Sequence, residues 1–380
     1  MSEILDEHRS YLSDTVRVRA YERAIRAVVR SGDVVLDLAA GTGILGLLAC
    51  RAGASRVYAV ETGGILGVAR ALARANGVAE RITHVRAMST EAVLPEPVDV
   101  IVCDQIGRFG FEAGLLEYMT DARSRLLRRG GRIIPAAVTL MAAPVRWPAG
   151  WREVEFWTPP RYGLDLRPGR EIALNTGRAA AFSSESVLAR PAAVAVLDTL
   201  RSRPEPTKGS VSFRIARGGI VHGLGAWFSA ELAPGVRMTN SPLSRRRIER
   251  RQTFFPLERP MGVTAGDRID VEMRILPADH VVSWHVAIRR AGERTARATS
   301  ALSTFRGMLF SPENLDRTRP TFRPALTARA HARRTVLELC DGRRRLDAIE
   351  RAVWRKHRPL FRSLADAQLF VAEVVTAYAR

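Results

Sequence analysis

The run Val34-Val35-Leu36-Asp37-Leu38-Ala39-Ala40-Gly41-Thr42-Gly43 constrains this chain more than any other stretch. A mostly apolar segment leads into a turn of small residues, and Ile44-Leu45 then opens a helical pattern. That order predicts a buried parallel strand, a tight turn and a helix N-terminus that a ligand can approach along the backbone. A second apolar run, Val57-Tyr58-Ala59-Val60, ends in Glu61. An acid at the tip of the second strand is a double acceptor for a ribose diol. Together the two runs predict an adenosine-containing cofactor, and the form of the turn favours S-adenosylmethionine over a dinucleotide.

The 380 residues allow two or three domains and an ample core. No apolar run is long enough to span a bilayer. The opening Met1-Ser2-Glu3-Ile4-Leu5-Asp6 lacks the basic-then-apolar layout of a signal peptide. Cys50, Cys103 and Cys340 are far apart and lack metal-ligand spacing. The expectation is a reducing, cytoplasmic setting with no disulfide, no metal and no membrane partner. The formal charge of +20 comes almost wholly from arginine, since lysine occurs only at Lys208 and Lys356. Such a charge reflects either a compositional habit or an acidic partner such as a peptide, an anionic surface or nucleic acid. Arginine is scattered along the whole chain, which favours the first reading, and nucleic acid is not an expected partner.

Strands alternate with helices from Val34 to Ala143. Strands are expected at Val34–Leu38, Val57–Val60, Ile82–Arg86, Val98–Val102 and Arg132–Ile134, and helices at Ile44–Arg51, Leu66–Asn76 and Gly114–Leu127. One helix is expected over Glu7–Arg30, and Arg129-Gly130-Gly131 reads as a helix stop. After Pro144 alternating runs dominate, as in Val211-Phe213-Ile215 and Ile269-Val271-Met273-Ile275. From Thr318 onward the pattern is helical again. The fold class is therefore α/β: a Rossmann-like doubly wound domain over 1–145, an antiparallel β-barrel-like domain over 146–316 and a small helical, winged-helix-like domain over 317–380.

The residues resemble a known family. Val35-Leu36-Asp37-Leu38-Ala39-Ala40-Gly41-Thr42-Gly43-Ile44-Leu45 and Ala52-Gly53-Ala54-Ser55-Arg56-Val57-Tyr58-Ala59-Val60-Glu61 resemble cofactor motifs of the protein arginine methyltransferases. His8, Tyr11, Asp14, Arg17 and Tyr21 match that family's N-terminal helix, and Trp157 with Tyr162-Gly163-Leu164-Asp165 resembles the start of its dimerisation arm. The resemblance runs from about Leu5 to Phe310. It implies S-adenosylmethionine as cofactor, S-adenosylhomocysteine as product and a head-to-tail homodimer. Gly41 and Gly43 let the backbone approach the cofactor and turn into the helix. Asp37 either orients the turn or accepts from the cofactor ammonium. Arg17 is a fork for the cofactor carboxylate, and His8 on the same helix is placed near the site. Glu61 takes the ribose hydroxyls, and the Met88-Ser89-Thr90-Glu91 loop frames the adenine through Ser89 and Thr90. Ala39 stands where the family usually has its first glycine, a mild departure if its φ is negative. Thr90 stands where the family usually has a glutamate.

The substrate end departs further. The family grips a guanidinium with two glutamates on the loop after the fourth strand. Here Asp104 replaces the first, and Glu112 falls at the second if the loop is one residue shorter. Both are the candidate catalytic carboxylates, as orienters or as a base. Gln105 replaces a tryptophan, and Arg108 adds a cation that disfavours an arginine substrate. The family's Thr-His-Trp loop corresponds to the stretch Ile248-Glu249-Arg250-Arg251-Gln252-Thr253-Phe254-Phe255, with the histidine and tryptophan absent. Arg245, Arg246, Arg247, Arg250 and Arg251 make this loop cationic, either as a solvated face or as a contact for an acidic peptide.

Near the C-terminus, Ala332 to Ile349 and Ala365 to Val371 resemble the helical part of PqqD-like domains, which recognise leaders of ribosomally made peptides. Only Arg323-Pro324-Ala325-Leu326-Thr327 is available for that module's strands, and a helical cap or a winged helix is the other reading. The leading expectation is a methyltransferase acting on a side chain of a peptide or small protein, a ribosomally synthesised precursor with an acidic leader. The alternatives are an arginine methyltransferase with an altered clamp and a catalytically silent binding protein.

Overall fold

The computed structural model describes residues 2–309, 311–317 and 319–379. Phe310 and Thr318, at the expected edges of the resemblance and of the C-terminal helices, lie outside the described residues. The chain divides into two units, Met1–Met308 and Leu309–Arg380.

The first unit begins with helices α1 (Ser2–Ser13) and α2 (Thr15–Val28). One helix was expected here, but Asp14 interrupts it by turning its carboxylate onto the Arg17 amide at 3.1 Å, an N-cap that starts a new helix. The alternating segment follows as β1 (Val34–Leu38), α3 (Ile44–Arg51), β2 (Arg56–Glu61), α4 (Leu66–Ala75), β3 (Ile82–Arg86), β4 (Val98–Cys103), α5 (Leu115–Arg125) and β5 (Leu127–Ile134). Its five strands are parallel, in the order β3-β2-β1-β4-β5. Every residue of β1 and of β4 is buried, the mark of a sheet covered on both faces. Leu38 pairs with both Val60 and Cys103, so the carboxyl ends of the three central strands stop side by side. Ligands of such sheets settle outside those ends.

Gly130-Gly131 is not a helix stop. The helix ends at Arg125, and β5 runs straight through, jumping in register from Leu127 to Arg132 while β4 advances only from Val98 to Val100. Gly130, at φ +77°, supplies the backbone freedom for that excursion.

The second half of this unit contains β6 (Ala137–Val145), α6 (Pro148–Glu155), α7 (Pro168–Leu174), β7 (Arg178–Ala180), β8 (Ala192–Asp198), β9 (Thr207–Arg214), β10 (Gly219–Ala233), β11 (Val236–Thr239), β12 (Gln252–Val263), β13 (Arg268–Leu276), β14 (Val281–Arg289) and β15 (Ala298–Ser303). They form two antiparallel sheets. One has the order β7-β12-β10-β6-β8 with β11 beside β10, and the other β15-β14-β13-β9. Trp284 joins them, its indole donating to the Pro256 carbonyl at 2.8 Å with its ring 4.9 Å from that of Phe255. Strand β6 pairs with β10 and β8, so the change of sheet falls between Ile134 and Ala137 rather than at residue 145. Helix α2 packs on β10 and β11, and one continuous core of buried side chains serves both halves of the unit. That packing brings the β half beside the ends of the parallel strands.

The second unit holds α8 (Pro312–Asp316), α9 (Ala328–Leu339), α10 (Leu346–Lys356) and α11 (Leu364–Tyr378). Ala332, Val336, Ile349, Val353, Phe370, Val371 and Val374 form its own small core. Residues 323–327 form no strand, and no strand occurs among the described residues of the unit. The PqqD-like expectation is therefore not supported, because that module receives its peptide by edge addition to a sheet. No helix among the described residues is long and apolar enough to cross a membrane.

Candidate active site

At the carboxyl ends of β1, β2 and β4 lies a cavity of about 550 Å³. Its walls come from α1 and α2 (His8, Tyr11, Arg17), the turn after β1 (Ala39–Thr42), Glu61, the loop after β4 (Asp104–Arg108) and the loop before β12 (Glu249–Arg251). A second hollow of about 190 Å³ shares Ala39, Glu61 and Gln105 with it and is closed by Met88, Ser89 and Tyr118. Glu61 stands between the two.

The turn is shaped for close approach. Gly41 has φ +54°, and a Cβ there would come within 2.6 Å of the His8 imidazole, so His8 lies directly over the glycine. Gly43, at φ +75°, is the N-cap of α3 and lines neither hollow. Ala39 also has a positive φ, +57°, which corrects the expectation of a cheap alanine. An L side chain in this region costs about 1–2 kcal/mol.

Glu61 accepts from the Gly41 amide at 3.0 Å and the Gly63 amide at 2.8 Å, which aims its carboxylate across the turn. Asp37 is buried beneath the turn and lines neither hollow. Its Oδ2 accepts from the Gly46 amide at 2.8 Å, while Oδ1 has no hydrogen-bond partner among the described residues. Burial pushes its carboxyl up to about 7. Of its two expected roles, orienting the turn is the one this placement serves. Ser89 lines the smaller hollow, whereas Thr90 is exposed and lines neither.

Asp104 is the hub of the other end. Its Oδ1 accepts from the Tyr21 hydroxyl at 3.0 Å, which also reaches the Cys103 carbonyl at 2.9 Å. Its Oδ2 is paired with Arg17 and lies 3.6 Å from Arg250. Burial, then the nearby Arg250 cation, pushes the Arg17 guanidinium down to about 10. The same burial raises the Tyr21 phenol and pushes the Cys103 thiol up to about 12, so neither ionises near neutrality.

Glu112 does not line the cavity, which corrects its expected place as the second gripping carboxylate. Its oxygens are taken by the loop itself: the Arg108 amide at 2.7 Å, the Phe109 amide at 2.9 and 3.1 Å and the Phe111 amide at 3.3 Å. A carboxylate that accepts several backbone amides is held as the plug of its own loop.

Two residues that the sequence reading did not assign to the site join its parts. Asn240, fully buried after β11, donates to the Arg108 carbonyl at 2.8 Å and the Arg251 carbonyl at 3.0 Å and accepts from the Phe228 amide at 2.9 Å. It staples the loop after β4 to the loop before β12. Asp14 caps α2 and also accepts from the Glu249 amide at 2.8 Å, tying the helix to that same loop. Asp14 was visible as a motif position, but nothing local marks Asn240.

The profile of the arginine methyltransferase oligomerization subdomain matches residues 137–287, and that of the ribosomal protein L11 methyltransferase (PrmA) matches residues 18–138. Protein arginine N-methyltransferase 6 of Xenopus laevis is 30% identical over 292 residues, which cover 72% of this chain and 84% of that protein. Protein arginine N-methyltransferase 1 of Oryza sativa subsp. indica is 28% identical over 280 residues, 71% of this chain and 72% of the relative. Two solved structures share the fold. The Trypanosoma brucei PRMT1 enzyme-prozyme heterotetrameric complex with AdoHcy superposes with a TM-score of 0.70 at 20% identity, over 78% of this chain and 97% of that one. Arabidopsis thaliana protein arginine methyltransferase 10 gives a TM-score of 0.68 at 22% identity, over 79% and 98%.

Proposed function

The chain belongs to the protein arginine N-methyltransferase family, and from that premise we propose that it methylates a guanidino nitrogen of arginine in a peptide or protein. It is an S-adenosylmethionine-dependent methyltransferase acting on protein, so the catalytically silent alternative is set aside. The expected precursor peptide with an acidic leader lacks support, and the arginine reading, first held as the alternative, takes its place. The observation that carries the proposal is the cavity itself. Asp104 lies in the same space as the Gly41 turn and Glu61, so an acid that can grip a guanidinium faces a crevice suited to a nucleoside.

The residues fit the cofactor. Gly41 keeps the turn open beneath His8, the smaller hollow beyond Glu61 offers room for a base, and Arg17 is a buried fork. When bound, S-adenosylmethionine supplies an electrophilic methyl group. Around it, Arg17 would hold a carboxylate, Glu61 would accept from a ribose diol, and Ser89 would edge the base. Asp104 accepts N–H bonds from the guanidinium and fixes which nitrogen faces the methyl group, so alignment supplies most of the rate. Its carboxylate then holds the proton that the nitrogen releases. Glu112 keeps the loop in shape from behind, which leaves Asp104 as the acid of this loop that faces the cavity. A homodimer through the α6–α7 arm is part of the same proposal. Tyr162 and Leu164 on that arm are 96% and 61% exposed, an apolar tip without cover in the single chain.

Incubating the enzyme with S-adenosylmethionine and a glycine-arginine-rich peptide, followed by tandem mass spectrometry, tests the reading. Methylarginine is the expected product. Methyl groups on any other residue, or none in the presence of bound cofactor, would overturn it.

A further inference from the structure

The seat that a substrate guanidinium needs already contains a guanidinium. Arg250 projects from the loop before β12 into the loop after β4. Its Nη1 donates to the Gly107 carbonyl at 3.2 Å, and its Nη2 lies 3.6 Å from Asp104. The side chain is 16% exposed and the carboxylate 9%, so both are largely withdrawn from water. The flanking backbone is held firmly: the Glu249 amide bonds Asp14, and the Arg251 carbonyl bonds Asn240. Among the described residues, the side chain is held by Gly107 and Asp104 alone. Its backbone is anchored while its head group is exchangeable.

We propose that Arg250 is a resident occupant of the guanidinium seat, a cation that a substrate arginine must displace from Asp104 before it can be gripped. This rests on the arginine reading above. Cofactor binding sharpens the competition, because a carboxylate that recruits Arg17 leaves Arg250 as the remaining cationic partner of Asp104. A neighbour's charge already registers at this spot: Arg250 is among the causes that lower the Arg17 guanidinium. An arginine side chain entering beside an undisplaced Arg250 meets like charge in a poorly hydrated pocket. A neutral side chain of the same shape does not. Arg250 thus sets how selective the site is for charged nucleophiles, and it disfavours arginine until it swings out.

Calorimetry at saturating S-adenosylhomocysteine tests this. The probe is a glycine-arginine peptide, and its control is the same peptide with the neutral isostere citrulline. Arg250→Gln and Arg250→Ala are each expected to bind the arginine peptide at least about tenfold more tightly than wild type. The citrulline peptide should change less than about twofold, Arg250→Lys should stay near wild type, and S-adenosylhomocysteine affinity should hold. Unchanged or weaker arginine-peptide binding in the Gln and Ala variants would overturn the assignment. So would a tenfold loss of S-adenosylhomocysteine affinity, which would make Arg250 a positioning residue for Arg17. Mass spectrometry of the same proteins separates the two readings. A gain in peptide affinity without methylarginine from any variant defeats the arginine reading and leaves the seat assigned. Methylarginine without that gain does the opposite.

Discussion

Around Gly41 and Glu61 the cavity is shaped by contacts between neighbouring strands, with 20 residues separating donor from acceptor. Around Asp104 the contacts are long-range: Asn240 reaches Arg108 across 132 residues, Arg250 reaches Gly107 across 143, and Glu249 reaches Asp14 across 235. The floor of the cofactor end is thus a property of one strand-turn-helix unit and its neighbour, while its cover, His8 and Arg17, comes from α1 and α2. The substrate end exists only when two halves of the fold have docked. Asp104 and Arg250 line the larger hollow and not the smaller one, so their chemistry can change while Glu61 keeps its amide contacts.

If the two ends are separable, variants at one should leave the other intact. The largest effect is expected at Asp104. Asp104→Asn keeps the shape and the Tyr21 contact but loses the charge, and turnover should fall on the order of 10³-fold. S-adenosylmethionine affinity, read by calorimetry, should change no more than about threefold. A parallel collapse of cofactor binding would break the separation.

Asp37 tests the cofactor end from beneath. Its folded carboxyl is raised to about 7, so the neutral acid stabilises the fold fully below the ordinary aspartate range. That contribution is lost as pH rises from about 4 through about 7. The loss is about 2–4 kcal/mol for a fully buried group. Thermal melts of the cofactor-free protein at pH 5 and 8.5 should show wild type falling more than Asp37→Asn. An equal fall would mean that the carboxylate is solvated or paired.

Arg17→Ala should weaken S-adenosylhomocysteine binding about 30–100-fold by calorimetry, in keeping with the loss of a buried charge-assisted fork. Asn240→Ala strands two carbonyls and an amide, and should cost about 2 kcal/mol in denaturant unfolding. It should raise the KM for peptide while sparing cofactor affinity. If both constants move together, the two loops also support the crevice. The smallest effect lies in the turn: Ala39→Gly should gain about 1 kcal/mol by relieving a positive φ.

The same contrast explains what could be read from the chain alone. Strands β1, β2 and β4 were legible because each is a short, mostly apolar run, and β3 because Ile82 and Val85 stand in a short run between turn residues and the next strand; their parallel arrangement follows from the alternation with helices. Gly41 and Gly43 were legible as turn residues, both with positive φ, and Glu61 as the end of β2. Position alone could not tell that Ala39 adopts a positive φ, because a Gly-rich turn admits several conformers. The break at Asp14 depends on a side chain turning back on its own backbone. At the substrate end, spacing identified the loop but not its inside. It placed Glu112 beside a substrate, whereas the carboxylate folds back on four amide contacts within its own loop. Asn240 carried no signal, since a lone asparagine after a strand is ordinary turn composition. The C-terminal helices were visible by periodicity, but helical resemblance without strands did not define a peptide-binding module.

The most direct test is a crystal structure with S-adenosylhomocysteine. The account predicts the ribose hydroxyls on Glu61, the adenine in the hollow edged by Ser89, and the carboxylate on Arg17, with Arg17 drawn away from Asp104. A nucleoside bound elsewhere, or Arg17 still locked to Asp104 beside a filled crevice, would contradict it.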